Sequence, residues 1–150
     1  HHLATTTDNA IEKMNTPGLQ TPNTERTAYE IYGSWSEHVA TWTHRPHQGL
    51  HIMRYEDMLA NPEATFRHLC DFLLLTPSRA ALLDAIEKSS FERLREQEKE
   101  RGFDEKPAQA KDFFREGRAG AWREHLSAEQ VRAVMSVNRE QARRFGYSAN

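Results

Sequence analysis

The chain has 150 residues, of which 37% are hydrophobic and 28% are charged, so it can bury a core and is neither disordered nor membranous in composition. Twenty lysines and arginines against 22 aspartates and glutamates give a formal net charge of -2, which excludes a global positive field for nucleic acid. Any recognition of an anion must therefore be local. We expect one domain or part of one, without an apolar run of membrane-spanning length.

The sequence has one cysteine, Cys70, within the apolar run "TFRHLCDFLLL". A lone cysteine cannot form an intramolecular disulfide, and its apolar neighbours predict a buried structural thiol. A reducing, cytoplasmic compartment fits this pattern best.

The first third of the chain is predicted to be helical with one long loop. "DNAIEKM" begins with Asp8 as a capping residue, and "TPGLQTPNT" then breaks the helix as an exposed loop. "YGSWSEHVATW" places Trp35, Val39 and Trp42 on one face, which predicts an amphipathic helix with an aromatic stripe in the core.

The middle of the chain is predicted to contain the only strand, "GLHIMRYE" at 49–56, followed by two helices. The first helix has Asn61 as its cap and Pro62 in its first turn. Its predicted inward side chains are Phe66, Leu69, Phe72 and Leu73. The second helix, in "SRAALLDAIEKS", begins near Ser78.

Two further helices are predicted towards the end of the chain. Residues 92–101, "ERLREQEKER", are dense in both charge signs and indicate a solvated helical face. The last helix begins with Ser127 and Gln130 in capping-box spacing. Its predicted inward side chains are Val131, Val134 and Met135.

A lone strand cannot satisfy its own backbone hydrogen-bonding groups, so partner strands are expected elsewhere. We therefore interpret residues 1–150 as the mostly helical C-terminal portion of a single larger α/β domain whose N-terminal half is absent.

The segment "KDFFREGRAGAWREHLS" at 111–127 predicts a pinned loop that holds an anion. It combines three aromatic anchors and two glycines with three arginines: Phe113, Phe114, Trp122, Gly117 and Gly120, with Arg115, Arg118 and Arg123. A packed helix would avoid the glycines, whereas a phosphate needs guanidinium forks and a backbone that can approach closely.

Four segments, taken in order, resemble the C-terminal half of the PAPS-dependent sulfotransferases: "YGSWSEHVATW", "IMRYEDMLANPEATFRHLCDFL", "KSSFERL" and "FFREGRAGAWREHLS". The resemblance implies a P-loop-kinase-like three-layer α/β sandwich around a parallel sheet. It also implies transfer of a sulfuryl group from 3′-phosphoadenosine 5′-phosphosulfate (PAPS) to a hydroxyl or amine of a small-molecule or glycan acceptor, with release of adenosine 3′,5′-bisphosphate (PAP). No catalytic residue is expected in this chain, because the family's catalytic base lies in the N-terminal half.

The resemblance assigns the grip on the cofactor 3′-phosphate to Arg115, with backbone N–H groups around Glu116 and Gly117. The family commonly has lysine where this chain has Glu116, which leaves the backbone contact but removes a side-chain cation. Gly120 and Trp122 are interpreted as structural. Arg118 and Arg123, the other two arginines of the loop, are interpreted as solvated.

Four further residues carry weaker assignments from the resemblance. Tyr55, at the end of the predicted strand, would reach the adenosine, Ser89 the adenine edge and Phe91 the adenine ring, and Tyr32 would border the acceptor pocket. The alternatives are a tyrosine packed on a backbone partner, a serine that caps the next helix and a core phenylalanine.

No metal site is predicted. His44, His47 and His51 are close in sequence, but Pro46 and Gly49 break any helix that would align them. The adjacent carboxylates Glu56 and Asp57 are interpreted as charges at a helix N-terminus.

Two other classes of function stay open from the residues alone. The chain could be a helical module that binds a protein partner, or the nucleotide-binding part of a phosphotransferase. The sequence does not indicate the acceptor or an oligomeric state.

Overall fold

The computed structural model describes residues 6–25, 28–107 and 110–148. The chain divides into two compact units, the first made of His1–Leu50 with Trp122–Asn150 and the second of His51–Ala121. Both units are mostly helical. Within the described ranges, no helix is long and apolar enough to cross a membrane.

The regular elements of the described residues follow one another in this order: α1 (Thr7–Asn15), β1 (Gln20–Thr21), β2 (Glu30–Ile31), α2 (Trp35–Thr43), α3 (Tyr55–Ala60), α4 (Pro62–Phe72), α5 (Arg79–Lys88), α6 (Phe91–Arg101), α7 (Trp122–His125) and α8 (Ala128–Arg144). In the first unit α1 and α2 pack on α8 and on each other. In the second unit α4 packs against α3 and α5, and α5 against α6.

The first helix is confirmed, but its predicted cap is wrong. Thr6 is the cap, since its hydroxyl accepts the amide of Asn9 at 3.2 Å. Asp8 lies in the first turn, where its carboxylate accepts a hydrogen bond from Gln130 Nε2 at 2.7 Å. A carboxylate in that turn also complements the positive end of the helix dipole.

The region predicted as an exposed loop after α1 contains one of the two strands formed by the described residues. β1 and β2 pair antiparallel, with Gln20 opposite Ile31 and Thr21 opposite Glu30. Thr21 is buried, and its hydroxyl donates to the carbonyl of Ala28 at 2.9 Å. The partner strand, β2, lies just before α2. The residues of the predicted loop do not by themselves indicate that this later segment pairs with them.

The amphipathic helix predicted around Trp35 is confirmed as α2, which begins with a capping box formed by Ser34 and Glu37. Its predicted aromatic face is wrong at the C-terminal end, because Trp42 is 63% exposed.

Polar contacts with α8 decide which face of α2 is covered. Ser36 donates its amide and its hydroxyl to Asn138 Oδ1 at 3.1 and 3.0 Å. Seven residues later on the same face, the buried Thr43 hydroxyl accepts from Arg144 Nη1 at 2.7 Å. The face that contacts α8 therefore runs through positions 36 and 43 and leaves Trp42 outside it.

The predicted strand at 49–56 is wrong. Its last two residues open α3 (Tyr55–Ala60), and the residues before them have no regular structure. Arg54 has extended backbone angles, φ -94° and ψ 142°. An extended segment becomes a strand only when a neighbour pairs with it, and the described part of the second unit provides no strand. The expected parallel sheet is likewise not formed by the described residues, whose two strands are antiparallel.

The helices predicted after that segment are confirmed as α4 and α5. Pro62 is the first residue of α4, but the side chain of Asn61 makes no capping hydrogen bond. Ser78 caps α5, accepting the amide of Ala81 at 3.2 Å. Cys70 is a free, half-buried thiol, so the prediction of a buried one is wrong in degree.

The C-terminus of α4 forms a Schellman motif. Leu75 N–H donates to Cys70 O at 2.8 Å and Leu74 N–H to Asp71 O at 3.1 Å. Leu74 takes φ 57° and is 89% exposed, and Leu73 is 52% exposed. The prediction that Leu73 faces inward is therefore wrong, because the helix ends before that position can be covered.

The last helix is confirmed as α8, with the predicted capping box of Ser127 and Gln130. The predicted inward face is also confirmed. It lines an apolar cavity of about 360 Å³ in the first unit, together with side chains from α1, α2, α7 and the residue that follows α7: Met14, Trp35, Trp122, Leu126, Val131, Val134 and Met135. Trp122 is half-buried at this cavity, and its predicted role in fixing the end of the loop stays a prediction.

Candidate functional site

The structure brings two predicted site residues, Phe91 and Gly117, into direct contact. A Cβ atom built on Gly117 would lie 2.2 Å from Cγ and Cδ2 of Phe91 and 2.7 Å from its Cδ1. Such short distances to three adjacent ring atoms place Gly117 over the face of the ring. Gly117 also has φ 62°, which disfavours a side chain. The loop can approach the start of α6 this closely only because the residue is glycine.

Aromatic rings hold the loop in front of Gly117, as the sequence predicted. The centroid of Phe103 lies 4.6 Å from that of Phe113 and 5.3 Å from that of Phe114. Phe114 also meets Phe91 edge to face, at 6.4 Å. The cluster joins the loop to α6 and to the turn that follows α6.

A buried carboxylate holds the same loop through its backbone. Glu98 is 8% exposed, and its two carboxylate oxygens accept the amide N–H groups of Phe113 at 2.7 Å and Phe114 at 3.0 Å. Lys106 Nζ lies 3.6 Å from Glu98 Oε1. The prediction of a wholly solvated face for residues 92–101 is wrong at this position.

A signal for Glu98 is present in the sequence. It follows Phe91 and Leu94 at i+7 and i+4, so it continues the inward stripe of α6. Composition alone does not distinguish the buried Glu98, because its charged neighbours in the sequence are exposed.

The environment keeps Glu98 ionised. The amide of Phe113, then that of Phe114, lowers the pKa of the Glu98 carboxyl, and Lys106 lowers it further, while burial acts in the opposite direction. An ionised carboxylate has two acceptor oxygens for two donors, which suits this site.

The three arginines of the loop differ in the contacts that their side chains make. Arg118 Nη2 lies 3.0 Å from Glu116 Oε2, so Arg118 is exposed but paired rather than only solvated. Arg123 lies over the ring of Trp122 at 4.4 Å. The Arg115 side chain is exposed, and no hydrogen bond or ion pair joins it to the described residues. It is therefore available to an external anion.

The other predicted site residues of the second unit, Tyr55 and Ser89, lie at the ends of helices. Tyr55 is the first residue of α3 and is 46% exposed, so it does not end a strand. Ser89 is exposed at the end of α5, and it is Ser90 that caps α6 by accepting the amide of Arg93 at 3.4 Å. The capping alternative for Ser89 is therefore wrong by one position.

Tyr32 lies in the first unit, directly after β2. Its amide donates to Leu19 O at 2.7 Å, and its hydroxyl donates to the carboxylate of Glu30. That hydrogen bond raises the pKa of the Tyr32 hydroxyl. The side chain is 38% exposed.

The residues considered for a metal have other roles. His47 Nδ1 accepts the amide of Gly49 at 3.2 Å, and His51 stacks on Phe72 at 5.2 Å. Glu56 and Asp57 lie in the first turn of α3, as predicted. The described portions of the chain hold no group of three or more side chains suited to a metal ion.

Comparison with known proteins identifies the class. The sequence matches the family model described as the sulfotransferase domain over residues 5–146. The chain therefore belongs to the sulfotransferase family, and the resemblance noted in its four segments is confirmed.

Individual relatives agree with the family match. The chain is 30% identical over 117 residues to 3-alpha-hydroxysteroid sulfotransferase of Cavia porcellus, covering 73% of this chain and 40% of that protein. It is 31% identical over 131 residues to sulfotransferase 2A6 of Rattus norvegicus, covering 78% and 43%. The chain thus matches about two fifths of the length of these relatives. No solved structure matches it significantly.

Proposed function

We propose that the protein transfers a sulfuryl group from PAPS to a hydroxyl or amine of a small-molecule acceptor, and that the second unit binds the 3′-phosphoadenosine part of PAPS. Family membership supports the reaction class. The observation that carries the site is the contact of Phe91 with Gly117, which brings the start of α6 to the loop bearing the exposed Arg115.

The residues present fit the 3′-phosphate. Arg115 offers an exposed guanidinium fork, and the positive φ of Gly117 lets the adjacent main chain turn N–H groups towards an anion. The carboxylate of Glu116 is paired with Arg118, which reduces its repulsion of a phosphate next to Arg115. The sequence difference at Glu116 is therefore compatible with the proposal.

Phe91 offers adenine less ring surface than the resemblance implies. One face of Phe91 is covered by Gly117, so only the rest of its ring can contact adenine. Ser89 and Tyr55 are exposed and remain candidates for the adenosine. Tyr32 remains a candidate for the border of the acceptor pocket.

In the proposed reaction the acceptor oxygen or nitrogen forms a bond to sulfur, while the bond between sulfur and the 5′-phosphate oxygen breaks and PAP leaves. The acceptor proton passes to a base, which we place among residues beyond these 150. Catalysis then depends on positioning and on neutralising charge on the leaving group. The role of the second unit is to hold and orient the donor.

The matched relatives are longer than this chain, which supports a fold that includes further residues. Because they are more than twice as long as the matched region, we propose that a parallel sheet of the P-loop-like type and the 5′-phosphosulfate site are formed by residues beyond these 150. The free Cys70 is compatible with a reducing compartment. Two relatives are named as hydroxysteroid sulfotransferases, so hydroxysteroids are the first acceptors to test.

The test is a transfer assay with the full-length protein, using PAPS labelled in its sulfur and, in parallel, ATP labelled in its γ-phosphate. We expect label from PAPS to reach a hydroxylated acceptor and none to come from ATP. Transfer from ATP alone would identify a phosphotransferase. Absence of transfer together with absence of PAP binding would contradict the proposal.

A further inference from the structure

We infer that Glu98 is a positioning residue that holds the loop of residues 113–117 in the form that binds the 3′-phosphate. This inference rests on the function proposed above and adds to it a residue that touches neither donor nor acceptor. Within α6, Glu98 is the residue that the fold buries.

The hydrogen bonds of Glu98 act directly beside Arg115. Its two oxygens accept two consecutive amides, those of Phe113 and Phe114, and the next peptide along the chain belongs to Arg115. Fixing two successive N–H groups fixes the orientation of both peptide planes. The direction in which the main chain presents Arg115 is thereby set.

One helix holds the loop at both ends. Glu98 contacts it at Phe113 and Phe114, and Phe91, two turns earlier on the same face of α6, contacts it at Gly117. Arg115 lies between these two attachments. The exposed guanidinium is thus carried on a short segment that is anchored on both sides.

The surroundings of Glu98 favour the charged form. Lys106 is the cation that faces the carboxylate, at 3.6 Å, and its ammonium also donates to the carbonyl of Lys111 at 3.3 Å. The rings of Phe103, Phe113 and Phe114, two of which belong to the residues whose amides Glu98 accepts, pack on one another. Loss of the carboxylate would leave two partly buried N–H donors without their acceptors, which is costly.

The test uses Glu98→Gln in the full-length protein, with Glu100→Gln as the matched control because Glu100 is exposed on the same helix. Glutamine keeps the shape but has one acceptor oxygen, and its amide NH₂ would face a backbone N–H. We expect the Kd for PAP to rise about tenfold, because losing a hydrogen bond to a charged group lowers the fraction of loop in the form that binds the 3′-phosphate. The Kd for 5′-AMP, which lacks the 3′-phosphate, should stay within twofold, as should both values in the control.

A double-mutant cycle separates positioning from general destabilisation. In an Arg115→Ala background, Glu98→Gln should have little further effect on PAP binding, because the group that it positions is gone. Additive effects, or equal weakening of PAP and 5′-AMP, would overturn the inference. Wild-type protein that binds PAP no better than 5′-AMP would overturn the proposed function, and this inference with it.

If thermal unfolding shows that the Glu98→Gln protein does not fold, a second variant tests the inference instead. Lys106→Met removes the facing cation while keeping the side-chain stem, and we expect a smaller rise of about threefold in the Kd for PAP, without a change for 5′-AMP. An unchanged Kd for PAP in a folded Lys106→Met protein would count against the inference.

Discussion

The face of the Phe91 ring occupies the place that a Cβ atom on residue 117 would take, so Phe91 and Gly117 form a contact that only glycine allows. The contact joins the start of α6 to the loop that carries Arg115. Its closeness leads to a direct test of how the loop is held.

Gly117→Ala should destabilise the second unit and weaken PAP binding. The positive φ costs about 1–2 kcal/mol for a residue with a Cβ, and the overlap with Phe91 adds about 1–3 kcal/mol. The matched control is Gly18→Ala, since Gly18 has the same φ of 62° but nothing within 4 Å of an added Cβ. Unfolding in denaturant should show a clearly larger loss for Gly117→Ala. Equal losses would show that Phe91 does not restrict the site.

Leu74→Gly should stabilise the protein by about 1 kcal/mol, because Leu74 lies at the position after α4 where glycine avoids the cost of positive φ. Its side chain is almost fully exposed, so little packing is lost. Leu73→Gly, at the preceding residue with φ -82°, serves as control and should not stabilise. A lower midpoint of thermal unfolding for Leu74→Gly would contradict the assignment of this helix end.

Asn138→Leu should destabilise the first unit by about 2–4 kcal/mol. Asn138 is 1% exposed, accepts from Ser36 and donates to Asn15 Oδ1 at 2.7 Å and to Val134 O at 2.9 Å, which joins α1, α2 and α8. Its removal leaves buried partners unsatisfied. The exposed Asn61, whose side chain makes no capping hydrogen bond, provides the control as Asn61→Leu. Similar unfolding free energies for the two variants would contradict this account.

The ionisation of Glu98 should appear in the pH dependence of stability. Its pKa in the folded chain lies below the ordinary glutamate value of about 4.3, because the Phe113 and Phe114 amides favour the carboxylate. The stabilisation is therefore complete above that value and is lost as the pH falls through the folded pKa. We expect wild type and Glu98→Gln to differ in unfolding free energy near neutral pH and to converge on acidification. A constant difference down to low pH would contradict the assignment.

Sequence reasoning located most helices of the described residues, because their starts are encoded locally. The capping residues Ser34, Ser78 and Ser127 and the first-turn Pro62 all lie within a few residues of the bonds that they make or the turn that they begin. The cap was misplaced by two positions, because the hydroxyl of Thr6 accepts the amide of Asn9 and the helix therefore begins before Asp8.

The failures come from contacts between residues distant in sequence. Residues 49–56 have the composition of a strand, but pairing depends on a neighbour that composition does not supply. Trp42 is exposed because the hydrogen bonds that Ser36 donates to Asn138 and that Thr43 accepts from Arg144 turn another face of α2 towards α8. For the site, the resemblance pointed to Phe91 and Gly117, whereas Glu98 was hidden in a charged run and became evident through its bonds to the loop.

The central claim is that the loop around Arg115 binds the 3′-phosphate of the donor. Calorimetric titration of the full-length protein with PAP and with 5′-AMP tests it most directly, comparing wild type with Arg115→Ala and with Arg132→Ala, an exposed arginine on α8. We predict that wild type and Arg132→Ala bind PAP more tightly than 5′-AMP and that Arg115→Ala loses about 1.5–3 kcal/mol of PAP binding free energy, the range for a hydrogen bond to a charged group. Unchanged PAP affinity in a folded Arg115→Ala protein would contradict the claim.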